Sequence, residues 1–175
     1  LDLRPEFNRR ADRAALFFKT DHHWKPEGAF YACGLLSHAL AERYGFPVEE
    51  AALEEENYEK TVYPDFFLGS QGKRVGSLYA GTDDFTVYTP RFDTSLCYTI
   101  PERSMERTGT FNDALCFPER IAGRDLFGGN PYTYYSGGDW AQTTVRNENN
   151  PDGPRIVLIR DSFSCALAPF LALQC

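Results

Sequence analysis

The hexapeptide Arg155-Ile156-Val157-Leu158-Ile159-Arg160 constrains the fold more than any other stretch of the chain. Its apolar centre shows no polar alternation and is rich in β-branched residues, which favour the pleated form. Such a run suits a strand buried on both faces, as in a parallel sheet. Asp161-Ser162 follows directly, and residues 164–168 begin a helical pattern that Pro169 should interrupt or kink. Strand, sharp turn and helix together predict a serine exposed at the carboxyl edge of a sheet. Backbone N–H groups at the start of that helix would favour a developing oxyanion.

The second anchor is Thr20-Asp21-His22-His23-Trp24. In extended chain, residues i and i+2 share one side. Asp21 and His23 should therefore face one way and His22 the other. A carboxylate that accepts the Nδ1–H of His23 fixes the tautomer and leaves Nε2 free as a base. With the Ser162 hydroxyl, this supplies an acid, a base and a nucleophile. Each residue also has a plainer reading: Asp21 as a turn residue, His23 as a satisfied structural histidine, Ser162 as a helix N-cap. Trp24 reads as a packing residue. A metal held by Asp21, His22 and His23 is disfavoured, because adjacent histidines in extended chain diverge and the sequence holds only 3. No metal is expected.

Between the anchors, residues 15–20 read as a short strand that delivers the chain to the Asp-His turn. Pro26 suits the first position of a helix and Glu27 its positive end. Ala29, Phe30, Cys33, Leu36, Leu40 and Tyr44 recur at helical spacing, predicting a helix over 26–44 that Gly45 and Pro47 stop. His38 on it reads as a surface or boundary residue. The glutamate-rich residues 48–60 read as a solvated connector. Residues 61–63, 75–79, 85–88 and 95–99 carry strand-forming side chains, with turns at 69–73 and 81–84 between them. The glycine-rich turn lacks Walker spacing, so a phosphate loop is rejected. The dense aromatics Tyr132, Tyr134, Tyr135 and Trp140 form either a core wall or a platform for a sugar. Tyr132, Tyr134 and Trp140 are the candidate substrate-binding residues.

At 175 residues the expectation is a single domain over 1–175. A net charge of −7 argues against nucleic acid or an anionic membrane as partner. A neutral polar substrate such as a sugar meets no electrostatic conflict. The 5 cysteines show no zinc spacing, and their odd number argues against a complete disulfide framework, leaving one or two bridges open. No apolar run spans a bilayer and no signal peptide opens the chain. Leu1 is not a natural start residue, so the chain is expected to be a processed or excised piece.

Residues Phe17-Phe18-Lys19-Thr20-Asp21-His22-His23-Trp24, followed by Pro26-Glu27-Gly28-Ala29, resemble the signature of the DHHW family. That family is grouped with alginate O-acetyltransferase-like proteins of the SGNH-hydrolase superfamily. Gly69-Ser70-Gln71-Gly72-Lys73-Arg74-Val75-Gly76, the residues from Val157 to Phe163, and Pro169-Phe170-Leu171 agree with it. The resemblance runs from Leu3 to Leu173. It implies an α/β fold: an αβα sandwich with a mostly parallel central sheet and an inserted β-rich region. It also implies an SGNH-type serine esterase or O-acetyltransferase acting on acetyl esters of a cell-envelope or extracellular polysaccharide. The chemistry would run through an acyl-enzyme with Ser162, His23 and Asp21 as the triad and no cofactor. Partners would be an acetylated carbohydrate or an acyl donor, with a membrane-bound acyltransferase as a further partner.

Two departures stand out. Arg160 occupies a position that is glycine in many SGNH enzymes, and Lys25 replaces a threonine that would cap the helix. A glycine and an asparagine side chain commonly complete the oxyanion hole in this superfamily. Gly129 and Asn130 are the first candidates, and Gly69 or Gly72 the alternative. The rival reading is a catalytically inactive carbohydrate-binding or surface-assembly module on the same scaffold. The distance from His23 Nε2 to Ser162 Oγ discriminates the two.

Overall fold

In the computed structural model, which describes residues 2–175, the longest element is helix α2, Pro26–Tyr44. It follows a short helix α1, Arg4–Arg9. Pro26 opens α2 without a side-chain cap from Lys25, and Gly45 closes it in the left-handed region (φ 67°), as the sequence predicts. Phe30 and Cys33 lie in the core, whereas the stripe runs out at Tyr44, which is exposed. Residues 13–16 form a 3-10 turn, not a strand, and the chain then makes only an isolated bridge between Phe17 and Trp24.

Two antiparallel sheets follow. β1 (Tyr58–Phe67) pairs with β2 (Asp83–Pro90), and β3 (Leu96–Ile100) lies between β4 (Met105–Gly109) and β5 (Thr144–Asn147). Between β1 and β2 the chain forms α3 (Ser70–Val75) and α4 (Ser77–Ala80). The strand expected over 75–79 is thus helical: Gly76 turns at φ 84°, and Val75, Leu78 and Tyr79 are exposed. The glutamate-rich connector is two 3-10 turns. Helix α5 (Phe111–Leu115) starts with a capping box built by Thr110 and Asp113.

The last helix, α6 (Ser164–Ala172), packs against α2. Pro169 sits inside it and does not end it. Proline cannot donate to the carbonyl four residues back. That carbonyl, of Cys165, instead accepts the Ser136 hydroxyl at 2.9 Å. Phe170 on α6 meets Phe30, Tyr58, Tyr88, Phe111 and Tyr135, so one aromatic core joins both helices to β1 and β2.

The expected parallel central strand is absent. Among the described residues every strand pairs antiparallel, and residues 155–160 form no backbone hydrogen bond. Val157 is 92 % exposed and Ile159 97 %. A run of apolar residues records that both faces favour cover; it carries no information on whether covering chain lies beside it. The architecture is therefore a small mixed α/β domain with two antiparallel sheets. The cysteines are free thiols, four of them buried.

Candidate active site

The Asp-His turn is held by polar contacts that begin in β2. Asp83 accepts the backbone N–H groups of Lys19 at 3.0 Å and Thr20 at 2.8 Å. Asp21 follows, its side chain 5 % exposed. Its Oδ2 accepts the Ser70 N–H at 2.7 Å, and its Oδ1 accepts the backbone N–H of His23 at 3.2 Å and the Nδ1–H of the same imidazole. Burial alone would raise the Asp21 carboxyl. The hydrogen bonds from His23 and Ser70 outweigh it and hold the group well below the usual carboxylate range.

The other imidazole nitrogen meets the distant serine. His23 Nε2 lies 2.8 Å from Ser162 Oγ, placed to accept its proton. The His23 ring stacks on Tyr132, with centroids 4.2 Å apart, and Phe163 lies at 5.0 Å. Ser162 is gripped from its C-terminal side: the Phe163 carbonyl accepts both Trp24 Nε1–H and Tyr132 O–H, each at 2.9 Å. Trp24 therefore does more than fill space. Among the described residues the Ser162 N–H has no acceptor, so it is free to face an oxyanion.

The remaining sequence candidates fall elsewhere. The Gly129 N–H donates to the Asp125 carbonyl at 3.0 Å and is not free as an oxyanion donor. Gly69 and Gly72 likewise donate to Thr20, at 2.8 and 2.9 Å. Their smallness serves another purpose: a Cβ on Gly69 would stand 2.2 Å from the Asp21 Cβ. Asn130 is exposed at the head of the 3-10 turn Pro131–Tyr134 that carries Tyr132, and among the described residues no hydrogen bond joins it to Ser162. Tyr132 and Tyr134 are buried core residues. Trp140 donates to the Ser136 carbonyl at 2.8 Å and lies under the Arg103 guanidinium. The tyrosines thus form the core wall rather than a sugar platform, because their rings are already covered.

One local expectation needs correction. Residues 20–23 bend instead of extending, so His22 does not point away. Its ring lies 3.9 Å from that of His23, and ligand atoms of Asp21, His22 and His23 fall within 4.8 Å of one another. Both nitrogens of His23 are nevertheless engaged, by Asp21 and Ser162. Arg160 turns away from the serine. Its guanidinium binds Asp139 at 2.8 Å and the Trp140 carbonyl at 3.1 Å. Sequence reasoning missed Asp83 and Ser70, both of which sit in segments that composition marks only as turns.

Residues 5–174 match the family model for DHHW proteins. No curated protein matches the chain. Among solved structures it is similar to a DHHW family protein from Eubacterium siraeum, at 22 % identity over 89 % of this chain and 47 % of that one, with a TM-score of 0.51. It is also similar to Bacillus cereus PatB1, at 21 % identity over 99 % of this chain and 57 % of that one, with a TM-score of 0.71. PatB1 solved with a sulfonyl adduct aligns at 20 % identity over 98 % of this chain and 54 % of that one, with a TM-score of 0.69. At these identities the likeness is one of fold. The chain spans about half the length of the solved structures it matches.

Proposed function

The chain belongs to the DHHW family, and on that premise we propose that it is a serine esterase or O-acetyltransferase of the SGNH type. The observation that carries this reading is the 2.8 Å contact between His23 Nε2 and Ser162 Oγ. A carbohydrate-binding or surface-assembly module needs no such contact. Asp21 holds the imidazolium that forms, and His23 takes the proton from Ser162 Oγ as that oxygen bonds to an acetyl carbonyl carbon. The carbonyl oxygen becomes the oxyanion, facing the Ser162 N–H. Collapse breaks the bond to the leaving alkoxide, which takes the proton back from His23. The acetyl-serine then passes its acetyl group to water or to a sugar hydroxyl by the reverse sequence.

On this reading the substrate is an acetylated polysaccharide of the cell envelope or the extracellular space, and the chain works without a cofactor. A membrane-bound acyltransferase would act alongside it where the reaction is transfer. Residues 155–160 would be an inner strand of the SGNH-type αβα sandwich. The unbroken apolar run Ile156-Val157-Leu158-Ile159 supports that assignment. The sulfonyl adduct on PatB1 suggests the probe. A sulfonyl fluoride loses fluoride to an activated hydroxyl, and here the hydroxyl would be that of Ser162.

The test compares wild type with Ser162→Ala in hydrolysis of p-nitrophenyl acetate and in labelling by a sulfonyl fluoride, mapped by mass spectrometry. We expect the variant to lose about 1,000-fold or more in hydrolysis and all labelling at this site. Equal hydrolysis and unchanged labelling would overturn the acyl-enzyme.

A further inference from the structure

Asp83 opens β2, 1 % exposed, and among the described residues it forms no ion pair. A buried carboxylate without a cation is costly unless several donors face it. Three do. Beside the N–H groups of Lys19 and Thr20, the Thr20 hydroxyl lies 2.7 Å from Asp83 Oδ2.

The polarity of this last bond has consequences. An ionised carboxylate only accepts, so the Thr20 hydroxyl must donate its proton to Asp83. Its lone pairs are then left for another donor, and the Gly69 N–H supplies it at 2.8 Å. The Thr20 carbonyl receives the Gly72 N–H at 2.9 Å. The glycine turn is therefore bound at both ends to Thr20, close enough that no side chain fits at Gly69. The next N–H along, that of Ser70, lands 2.7 Å from Asp21 Oδ2.

We infer that Asp83 is a positioning residue: through Thr20 and the Gly69–Ser70 peptide it sets the direction of the Asp21 carboxylate toward His23. The inference rests on the proposed triad. Asp83 touches neither the serine nor a substrate; it acts on them through Asp21. Asparagine at 83 retains one acceptor oxygen but turns an NH2 group toward donors. The Thr20 hydroxyl then loses its fixed direction, the Gly69 N–H its acceptor, and the Ser70 N–H its place on Asp21. A misplacement of about 1 Å in such a site can cost about 100-fold in rate.

The experiment uses Asp83→Asn, Thr20→Val and Thr20→Ser, each measured on folded protein. Two readouts are taken. One is kcat and KM for p-nitrophenyl acetate. The other, independent of turnover, is the downfield proton resonance of the Asp21–His23 hydrogen bond by NMR. We expect Asp83→Asn and Thr20→Val each to lower kcat about 10- to 100-fold with little change in KM, and to broaden or shift the resonance. Thr20→Ser keeps the hydroxyl and should retain both. The double variant should lose little more than the worse single, because both break one path. If Asp83→Asn does not fold, the two Thr20 variants still decide the matter. A wild-type resonance and kcat in folded Thr20→Val would overturn the inference. Should Ser162→Ala hydrolyse as fast as wild type, the proposed function fails, while the resonance still reports on Asp83.

Discussion

The two segments that meet at the His23–Ser162 contact are supported in opposite ways. Residues 19–23 are bound by donors or acceptors from β2, from the turn at 69–72 and from Ser162 just before α6. Residues 155–160, which bring the chain to the serine, have no backbone hydrogen bond among the described residues. The serine still reaches the histidine, because it is fixed from the far side. Trp24 and Tyr132 hold the Phe163 carbonyl, and Arg160 ties the end of the approach to residues 139–140. A nucleophile can thus be positioned by the contacts that flank it while the strand before it lies open.

The largest expected effect breaks the well-bound side. Asp21→Asn keeps the shape but invites the wrong imidazole tautomer, and the hydrolysis rate should fall by about 10,000-fold. The same variant has a signature in stability. The Asp21 carboxyl titrates lower in the folded chain than in the unfolded one. Its contribution is therefore present above the ordinary carboxylate pKa and lost as pH falls through the lowered one. Acid denaturation of Asp21→Asn, followed by circular dichroism, should be less steep below about pH 4 than that of wild type.

A middle-sized effect tests the grip on the serine. The Phe163 carbonyl accepts two donors, so Trp24→Phe or Tyr132→Phe alone leaves it satisfied and should cost about 0.5–1.5 kcal/mol. The double variant leaves that part-buried carbonyl with neither side-chain donor and should cost more than the sum. Urea melts give the stabilities, and labelling of Ser162 by a sulfonyl fluoride should slow most in the double variant. Strict additivity in both would mean that the two donors do not share one task.

The smallest effect probes the open side. Val157→Lys with Ile159→Lys changes two exposed side chains and should alter stability by less than about 0.5 kcal/mol each. If the segment is as free as its contacts show, the pair should leave hydrolysis unchanged. A large loss of stability would mean that the approach strand is packed after all, and the contrast between the two sides would fall.

Much of this site was legible in residue order. Asp21, His23 and Ser162 are the residue types that acyl transfer needs, set beside a bend and a helix start, and the periodicity of residues 26–44 marks a helix that the structure contains. The direction of His22 was not legible, because residue alternation holds only in extended chain and the backbone bends here. The platform of aromatics was not legible either. Tyr132 and a solvent-facing tyrosine read alike in sequence, and only packing shows that this ring lies against His23.

The sequence by itself determined which groups are available and which local forms they favour, since propensity, spacing and turn chemistry act over a few neighbouring residues. Tertiary structure alone decided that Ser162 meets His23, that Asp83 lies under Thr20, and that the apolar run before the serine stays unpaired. Each of these joins segments far apart in the chain, or leaves one segment without a neighbour. Hydrogen bonds and burial depend on what stands opposite in space, and a linear pattern does not record that.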